Sequence, residues 1–311
     1  MIYKNILELI GNTPLLELSR FGLEAGGVKI FAKLEGHNPS GSVKDRIALA
    51  MIEDGEKSGE LTKDKVILEA TSGNTGISMA MIARYKGYDL KAVMPDNVSV
   101  ERRQLLEVYG AEVVLSDGEA GTNGAIKLAQ EIAKSSDSYF TPDQYSNEAN
   151  PRAHYETTAV EILRELPEVD AFVAGLGTGG TLMGVGRRLR EECPGCKIVA
   201  VQPYPHSGLQ GLRNVGEGFV PPILDFSLID SSEFVRDEEA FTSLKDLAEK
   251  EAILAGISSG AVLFKALEMA RGMKRGNIVV VFPDGAWKYL SEKIWTESAE
   301  EVSKRFTGPL W

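Results

Sequence analysis

Residues 38–46, NPSGSVKDR, place a single lysine, Lys44, between a glycine/serine loop and a stretch with helical spacing. A cation at the start of a helix is unfavourable, because the helix dipole places partial positive charge there. One chemical reason for the position is nucleophilic, since lysine amines form Schiff bases with carbonyl cofactors such as pyridoxal phosphate. Taken alone, Lys44 does not establish this chemistry, because most lysines at a helix start are ordinary solvated residues.

A glycine-rich segment, GLGTGGT at residues 175–181, follows a predicted strand and opens a predicted helix. Gly175, Gly177 and Gly180 fit G-x-G-x-x-G, in which backbone N–H groups and a helix N-terminus hold a phosphate. A dinucleotide site also needs an acidic residue at the end of the next strand, which here ends in VQP. The pattern therefore favours a smaller phosphorylated cofactor over NAD, with a tight structural turn as the alternative.

A third segment, ATSGNTG at residues 70–76, presents four short polar side chains before a helix: Thr71, Ser72, Asn74 and Thr75. A helix N-cap needs only one such residue. Several hydroxyl and amide donors together suit a carboxylate. We therefore predict an anion site here rather than a simple cap.

These segments, followed by AGISSGA at residues 255–261, resemble in order and spacing the fold-type II pyridoxal-phosphate enzymes. The chain is most similar to the cysteine synthase branch, the O-acetylserine or O-phosphoserine sulfhydrylases. The likeness runs from IGNTPLLEL to at least KYLS, over nearly the whole chain. It implies a tryptophan synthase β-like α/β fold with two doubly wound domains and mostly parallel sheets.

The resemblance implies that Lys44 holds the cofactor as a Schiff base and later takes the substrate's α-proton. Asn74 would meet the ring 3′-oxygen, and Ser258 the pyridine nitrogen. The cofactor phosphate would lie against Gly177, Thr178, Gly179, Gly180 and Thr181. The substrate carboxylate would be held by Thr71, Ser72, Thr75 and Gln144.

The implied reaction is β-replacement on an activated serine through an α-aminoacrylate, which gives L-cysteine. A phosphate leaving group requires a cation, and Arg213 lies in a glycine-rich loop within GLQGLRNVGEGFVPPILD. On sequence alone a solvated surface arginine is equally consistent. Because this segment and DGAWKYLS resemble the O-phosphoserine sulfhydrylases, we predict O-phosphoserine as the preferred substrate, with O-acetylserine as the alternative. In the resembling subgroup a similar tail can reach the active-site cleft, so the resemblance implies that the tail FTGPLW, ending at Trp311, gates access of the sulfur donor.

Other functions fit less well. A dehydrogenase function is disfavoured, because this chain lacks the acidic residue that would bind the ribose of NAD. Sister enzymes such as cystathionine β-synthase or serine/threonine dehydratase remain alternatives. A non-catalytic binding protein would have no need of Lys44, Asn74 and Ser258 together.

Composition limits the partners. The chain has 311 residues, a net charge of −11 and 43% hydrophobic residues, which argues against nucleic acid or anionic membrane as a main partner. No apolar stretch approaches the ~20 residues of a membrane span. We expect a cytoplasmic enzyme, and the resemblance implies a homodimer. The sulfur donor could be sulfide, thiosulfate or a thiocarboxylated carrier protein.

No metal site is predicted, because the lone CPGC at residues 193–196 sits between a predicted helix and strand and suggests a turn more than a metal or redox site.

The elements that position these segments alternate between helix and strand, as in parallel sheets with crossover helices. Seven strands are predicted, at residues 28–35, 65–70, 90–95, 111–116, 171–175, 197–202 and 277–282. A long polar loop, residues 141–154, is predicted to cross between domains. We predict a larger phosphate-binding domain from residues 1–40 and 146–311, and a smaller mobile domain from residues 41–145 that carries the carboxylate loop.

Overall fold

The structure is a computed structural model that describes residues 2–22, 27–71 and 73–305. Two predicted features, the Ser72 contact and the tail ending at Trp311, lie outside these residues. The strands are β1 Leu15–Glu17, β2 Val28–Leu34, β3 Val66–Ala70, β4 Asp89–Pro95, β5 Glu112–Ser116, β6 Tyr139–Phe140, β7 Ala171–Gly175, β8 Lys197–Pro203, β9 Ser231–Val235 and β10 Gly276–Phe282. The α-helices are α1 Lys44–Ser58, α2 Asn74–Lys86, α3 Val100–Val108, α4 Gly121–Lys134, α5 Ala149–Ala153, α6 Ala159–Glu165, α7 Gly180–Glu192, α8 Asp237–Glu251, α9 Ile257–Arg271 and α10 Ala299–Arg305.

The strands form two sheets. The larger sheet has the order β1-β2-β10-β7-β8-β9, and the smaller has the order β5-β4-β3-β6. Every pairing is parallel except that of β1 with β2. The predicted α/β class with two mostly parallel sheets is confirmed.

Strand β10 shows why the larger sheet is covered on both faces. Its sequence, GNIVVVF, is almost continuously apolar, as expected of a strand buried on both sides. Ile278 and Val280 pack into one core cluster with α8 and α9. Val279 and Val281 pack into another with α6 and α7. Alternate side chains therefore enter different helical layers, which is the doubly wound arrangement.

The seven predicted strands are confirmed, with bounds that differ by at most one residue. Strands β1, β6 and β9 were not predicted. The loop prediction for residues 141–154 is wrong at its end, because α5 begins at Ala149 and a π-helical turn follows at His154–Thr158. The CPGC segment is a turn in which the Cys193 carbonyl accepts a hydrogen bond from the Cys196 N–H at 2.8 Å.

None of the described helices combines the length and the apolar content that crossing a bilayer requires.

Candidate active site

The chemistry-bearing loops meet at the carboxyl ends of strands from both sheets, where parallel α/β folds place their ligand sites. Two adjoining cavities lie there, and both are lined by Val43, Lys44, Gly177, Thr178, Gly211, Ser258 and Pro283. The first cavity is also lined by the predicted residues Thr71, Asn74, Thr75 and Gln144. The second is also lined by Gly179 and Thr181. Gly180 is adjacent, at the first position of α7.

Lys44 is the first residue of α1, and its loop is tied to the larger sheet by the Val43 N–H, which donates to the Pro283 carbonyl at 2.8 Å. Burial lowers the pKa of Lys44 from 10.5 to about 8, although the negative charge of Asp284 raises it. Removal from water is therefore the main cause, rather than the helix dipole on which the sequence argument relied. A lysine with this pKa is more often neutral and hence more nucleophilic than an exposed one.

The glycine loop between β7 and α7 leaves its backbone open to a ligand. Gly179 has φ +91°, a left-handed conformation that favours glycine. A Cβ on Gly180 would lie 1.8 Å from Asn150 Oδ1, and one on Gly177 would lie 2.9 Å from the Gly211 carbonyl oxygen. Side chains larger than hydrogen are thus excluded at both positions. The Gly180 N–H makes only a long hydrogen bond to Thr178 Oγ1, at 3.4 Å, and the start of α7 favours a phosphate.

The two threonines of this loop are held by buried neighbours. Thr178 Oγ1 accepts a hydrogen bond from Asn150 Nδ2 at 3.1 Å. Thr181 Oγ1 lies 3.2 Å from His154 Nε2. Burial lowers the pKa of His154 to about 3, so its ring is neutral and brings no positive charge to the loop.

Ser258 occupies the second position of α9 and is buried. A Cβ on Gly211 would lie 3.5 Å from Ser258 Oγ, so the glycine brings the backbone close to this hydroxyl. A neutral hydroxyl suits an unprotonated pyridine nitrogen better than a pyridinium, which prefers a carboxylate. With Lys44 and the glycine loop, the residues present therefore fit pyridoxal phosphate.

The predicted carboxylate-binding residues also come together. Thr75 Oγ1 donates to Gln144 Oε1 at 2.7 Å, and Gln144 Nε2 donates to Glu69 Oε1 at 2.9 Å. Burial raises the pKa of Glu69 well above its usual range, which favours the protonated form of its carboxyl group. Thr71 Oγ1 accepts from the N–H groups of Gly73 and Gly76 at 3.0 and 3.1 Å. Its hydroxyl therefore also satisfies an N–H group in the first turn of α2, although the N-cap residue is Gly73.

Arg213 is buried, so its interpretation as a surface arginine is wrong. It does not line either cavity itself. Its guanidinium lies over the ring of Tyr145, which does line the first cavity, and over that of Phe219, at 5.4 and 4.9 Å. Nη1 reaches Asn123 Oδ1 at 3.5 Å, while Nε and Nη2 are buried without a hydrogen-bond partner. Buried donors without a partner are costly, and an anion is one partner that would satisfy them.

Sequence reasoning missed Arg102, Asp284 and Tyr289, which line the first cavity. It also missed Lys288, which is buried and donates to Asn74 Oδ1 at 2.7 Å. Asp284 carried one usable signal, because it follows strand β10 closely and the carboxyl ends of parallel strands are where ligands bind. Within the described residues, no group of three or more His, Cys, Asp or Glu side chains could hold a metal ion.

Comparisons with known proteins agree with this geometry. Residues 6–284 match the family model "Pyridoxal-phosphate dependent enzyme". The chain is 42% identical over 303 residues to a cysteine synthase from Aquifex aeolicus (strain VF5), covering 94% of this chain and 93% of the relative. A solved hydrogen sulfide-producing enzyme from Fusobacterium nucleatum has a TM-score of 0.86 and 44% identity, with coverage of 93% and 100%. The structure of an O-ureido-L-serine synthase has a TM-score of 0.89 and 39% identity, with coverage of 95% and 96%.

Proposed function

The chain belongs to the pyridoxal-phosphate dependent enzymes, in the cysteine synthase family, and from this premise we propose that it makes L-cysteine by β-replacement on O-phosphoserine. The enzyme class, the cofactor and the fold-type II family are as the sequence predicted. The preference for O-phosphoserine is our proposal, and the observation that carries it is the buried, incompletely paired guanidinium of Arg213 beside the cavity.

Pyridoxal phosphate, when bound, withdraws electrons from the α-carbon of an amino acid, which makes the α-proton and the β-substituent easier to lose. We assign Lys44 Nζ to holding the cofactor and to taking up the α-proton, a task favoured by its pKa of about 8. Ser258 would hydrogen-bond the pyridine nitrogen, and Asn74 the ring oxygen. The backbone of residues 177–181 would hold the phosphate.

The substrate carboxylate would be bound by Thr71, Thr75 and Gln144. Support comes from their position, because all three line the first cavity and Gln144 is hydrogen-bonded to Thr75 in the first turn of α2. A carboxylate bound here lies at the start of α2, where the helix dipole favours an anion. Closure of this segment over the substrate would exclude water from the reacting atoms.

The leaving group separates the two candidate substrates. A phosphate dianion offers acceptors for the unpaired Nε and Nη2 of Arg213, whereas a neutral acetyl group cannot balance the guanidinium charge. The two aromatic rings that flank Arg213 exclude water and so strengthen its interaction with an anion. O-acetylserine remains the second candidate, because a cysteine synthase could accept it without using Arg213.

The test is kcat/KM for both substrates in Arg213→Gln. We expect a loss of about 100-fold or more with O-phosphoserine, and less than about 5-fold with O-acetylserine, since truncating one partner of a buried charge pair costs several kcal/mol. Arg236→Gln is the matched control, because Arg236 also lies over an aromatic ring, that of Tyr204 at 5.3 Å, but is exposed. Equal losses with the two substrates would contradict the phosphate-binding role.

We further propose a cytoplasmic homodimer that takes its sulfur from sulfide, thiosulfate or a thiocarboxylated carrier protein. Support comes from the family alone. Light scattering tests the dimer, and turnover with each donor tests the sulfur source. The gating role of the tail FTGPLW stays a prediction, and deletion of residues 307–311 without effect on turnover would refute it.

A further inference from the structure

Lys288 is a fully buried lysine beside the cofactor site that the mechanism above does not use. It lies in the 3₁₀ segment Ala286–Glu292 that follows β10. Its Nζ donates to Asn74 Oδ1 at 2.7 Å and to the Gly41 carbonyl at 3.1 Å. Asn74 begins α2, which packs near the smaller sheet, so Lys288 reaches it from the other sheet.

The contacts of Asn74 determine which way its carboxamide faces. An ammonium group has only donors, so the carbonyl oxygen of Asn74 must face Lys288. On the other side, Asn74 Nδ2 donates to Asp284 Oδ2 at 2.8 Å, and the same oxygen accepts from the Tyr289 hydroxyl at 2.6 Å. The carboxamide thus lies between a cation and a carboxylate that both demand one orientation. Its second amide hydrogen is the donor left for a ligand in the cavity.

Burying a lysine is costly, and an apolar residue of similar size would fill the space without that cost. Burial lowers the pKa of Lys288 to about 8, against the carboxylates of Asp284 and Asp45, which raise it, and the charges of Arg102 and Lys44, which lower it. At neutral pH the amine is therefore mostly charged and acts only as a donor.

We propose that Lys288 is a positioning residue for the cofactor: by donating to Asn74 Oδ1 it holds the Asn74 amide nitrogen toward the ring oxygen of pyridoxal phosphate. This inference rests on the role proposed for Asn74. Asp284 and Tyr289 complete the arrangement by holding the amide nitrogen from the opposite side. Without Lys288, the Asn74 carboxamide loses the hydrogen bond that keeps its oxygen facing away from the ligand.

The experiment compares Lys288→Met, Lys288→Arg, Asn74→Ala and the double variant Lys288→Met/Asn74→Ala. The readouts, without substrate, are the visible absorption band of the bound cofactor and its dissociation constant from fluorescence titration. We expect Lys288→Met to weaken cofactor binding about 10-fold and to shift the band, because a positioned donor to the ring oxygen is lost. Lys288→Arg should recover most of both effects. The double variant should match Asn74→Ala, because Lys288 acts through Asn74.

Lys33→Met is the control for removing a buried lysine, since Lys33 is fully buried and pairs with Glu161 at 2.7 Å. It should lower stability and leave the cofactor band unchanged. An unaltered band and affinity in Asn74→Ala would refute the proposed role of Asn74. An altered Asn74→Ala with an unaltered Lys288→Met, or additive losses in the double variant, would overturn only the role of Lys288. Should Lys288→Met fail to fold, Lys288→Gln carries the test: its weaker neutral donor should reduce affinity about 3-fold, and unchanged affinity overturns the proposal.

Discussion

At the scale of single residues, the site is defined by cations removed from water. Lys44 and Lys288 both have a pKa of about 8, and in each case burial is the largest cause and Asp284 opposes it. A guanidinium does not lose its proton in proteins, so the buried Arg213 needs an anion instead. The two lysines can relieve the cost of burial by losing a proton, whereas the arginine cannot.

This difference predicts how the cofactor-free protein responds to pH. An unfolded lysine has a pKa near 10.5, so between about pH 8 and 10.5 the unfolded chain binds more protons than the folded one. The free-energy penalty of burying the charged lysine is fully present below pH 8. The free energy of unfolding therefore rises as pH increases through this window. From pH 7.5 to 9.5, Lys44 should contribute at most about 2 kcal/mol to that rise. Urea unfolding at both pH values measures it, and the rise should be smaller in Lys44→Met. Equal rises in the two proteins would show that Lys44 is not buried in this way.

At the scale of elements, α7 positions the glycine loop that we propose to bind the cofactor phosphate, and it does so through unusually close packing. A Cβ on Gly184 would lie 2.1 Å from the Pro151 carbonyl oxygen and 2.6 Å from His154 Cβ. The helix therefore lies nearly backbone to backbone against α5 and the π-helical turn after it. Since α7 starts within the loop, this packing fixes where the loop N–H groups point.

We accordingly expect Gly184→Ala to destabilise the protein by about 2–3 kcal/mol, although alanine is the better helix former. Displacement of α7 should also weaken binding of pyridoxal phosphate. Thermal unfolding and cofactor titration measure the two effects. Gly195→Ala is the control, because nothing lies within 4 Å of its Cβ position, and it should change stability by less than about 0.5 kcal/mol. Unchanged stability in Gly184→Ala would contradict the close approach.

Local sequence predicted the elements that carry a strong local pattern. Strands such as β10 are almost continuously apolar, and glycine at position 87 adopts the left-handed conformation that ends α2. The strands it missed lack that pattern: β6 has two residues, and β9 is a partly exposed edge strand. Their assignment depends on pairing with distant strands, which no local window contains.

The candidate site shows the same difference between features that local sequence indicates and features that depend on tertiary packing. Lys44, Asn74 and Ser258 sit in motifs whose composition indicates their chemistry, and all three line the cavity. The burial of Arg213 and the contact between Lys288 and Asn74 depend on tertiary packing, because the latter pair is separated by 214 positions. A loop arginine has the same local sequence whether it is solvated or buried, so only the fold distinguishes the two.

At the scale of the whole molecule, the segment after β10 joins the two sheets. Glu101, in α3 beside the smaller sheet, accepts hydrogen bonds from Ser291 N and Oγ at 2.9 and 2.8 Å. Ser99 Oγ donates to the Lys288 carbonyl at 2.9 Å. We propose that residues 41–145 move as a smaller unit over the substrate, and in that case these bonds lie across the moving boundary. They would then help to set how far the cleft opens.

Glu101→Ala removes two of these bonds without touching the cavity lining. Both hydrogen bonds lie at the partly exposed edge of this contact, so the free energy of unfolding should fall by only about 1 kcal/mol. Hydrogen exchange should rise mainly in residues 99–108 and 286–292, because the boundary opens there while the cores of both sheets stay intact. A more open cleft should also raise KM with little change in kcat. Glu107→Ala is the control, since Glu107 pairs only with Arg103 on the exposed face of the same helix at 3.1 Å among the described contacts. If exchange increased uniformly, or equally in both variants, the bonds of Glu101 would be ordinary surface contacts rather than the boundary of a moving unit.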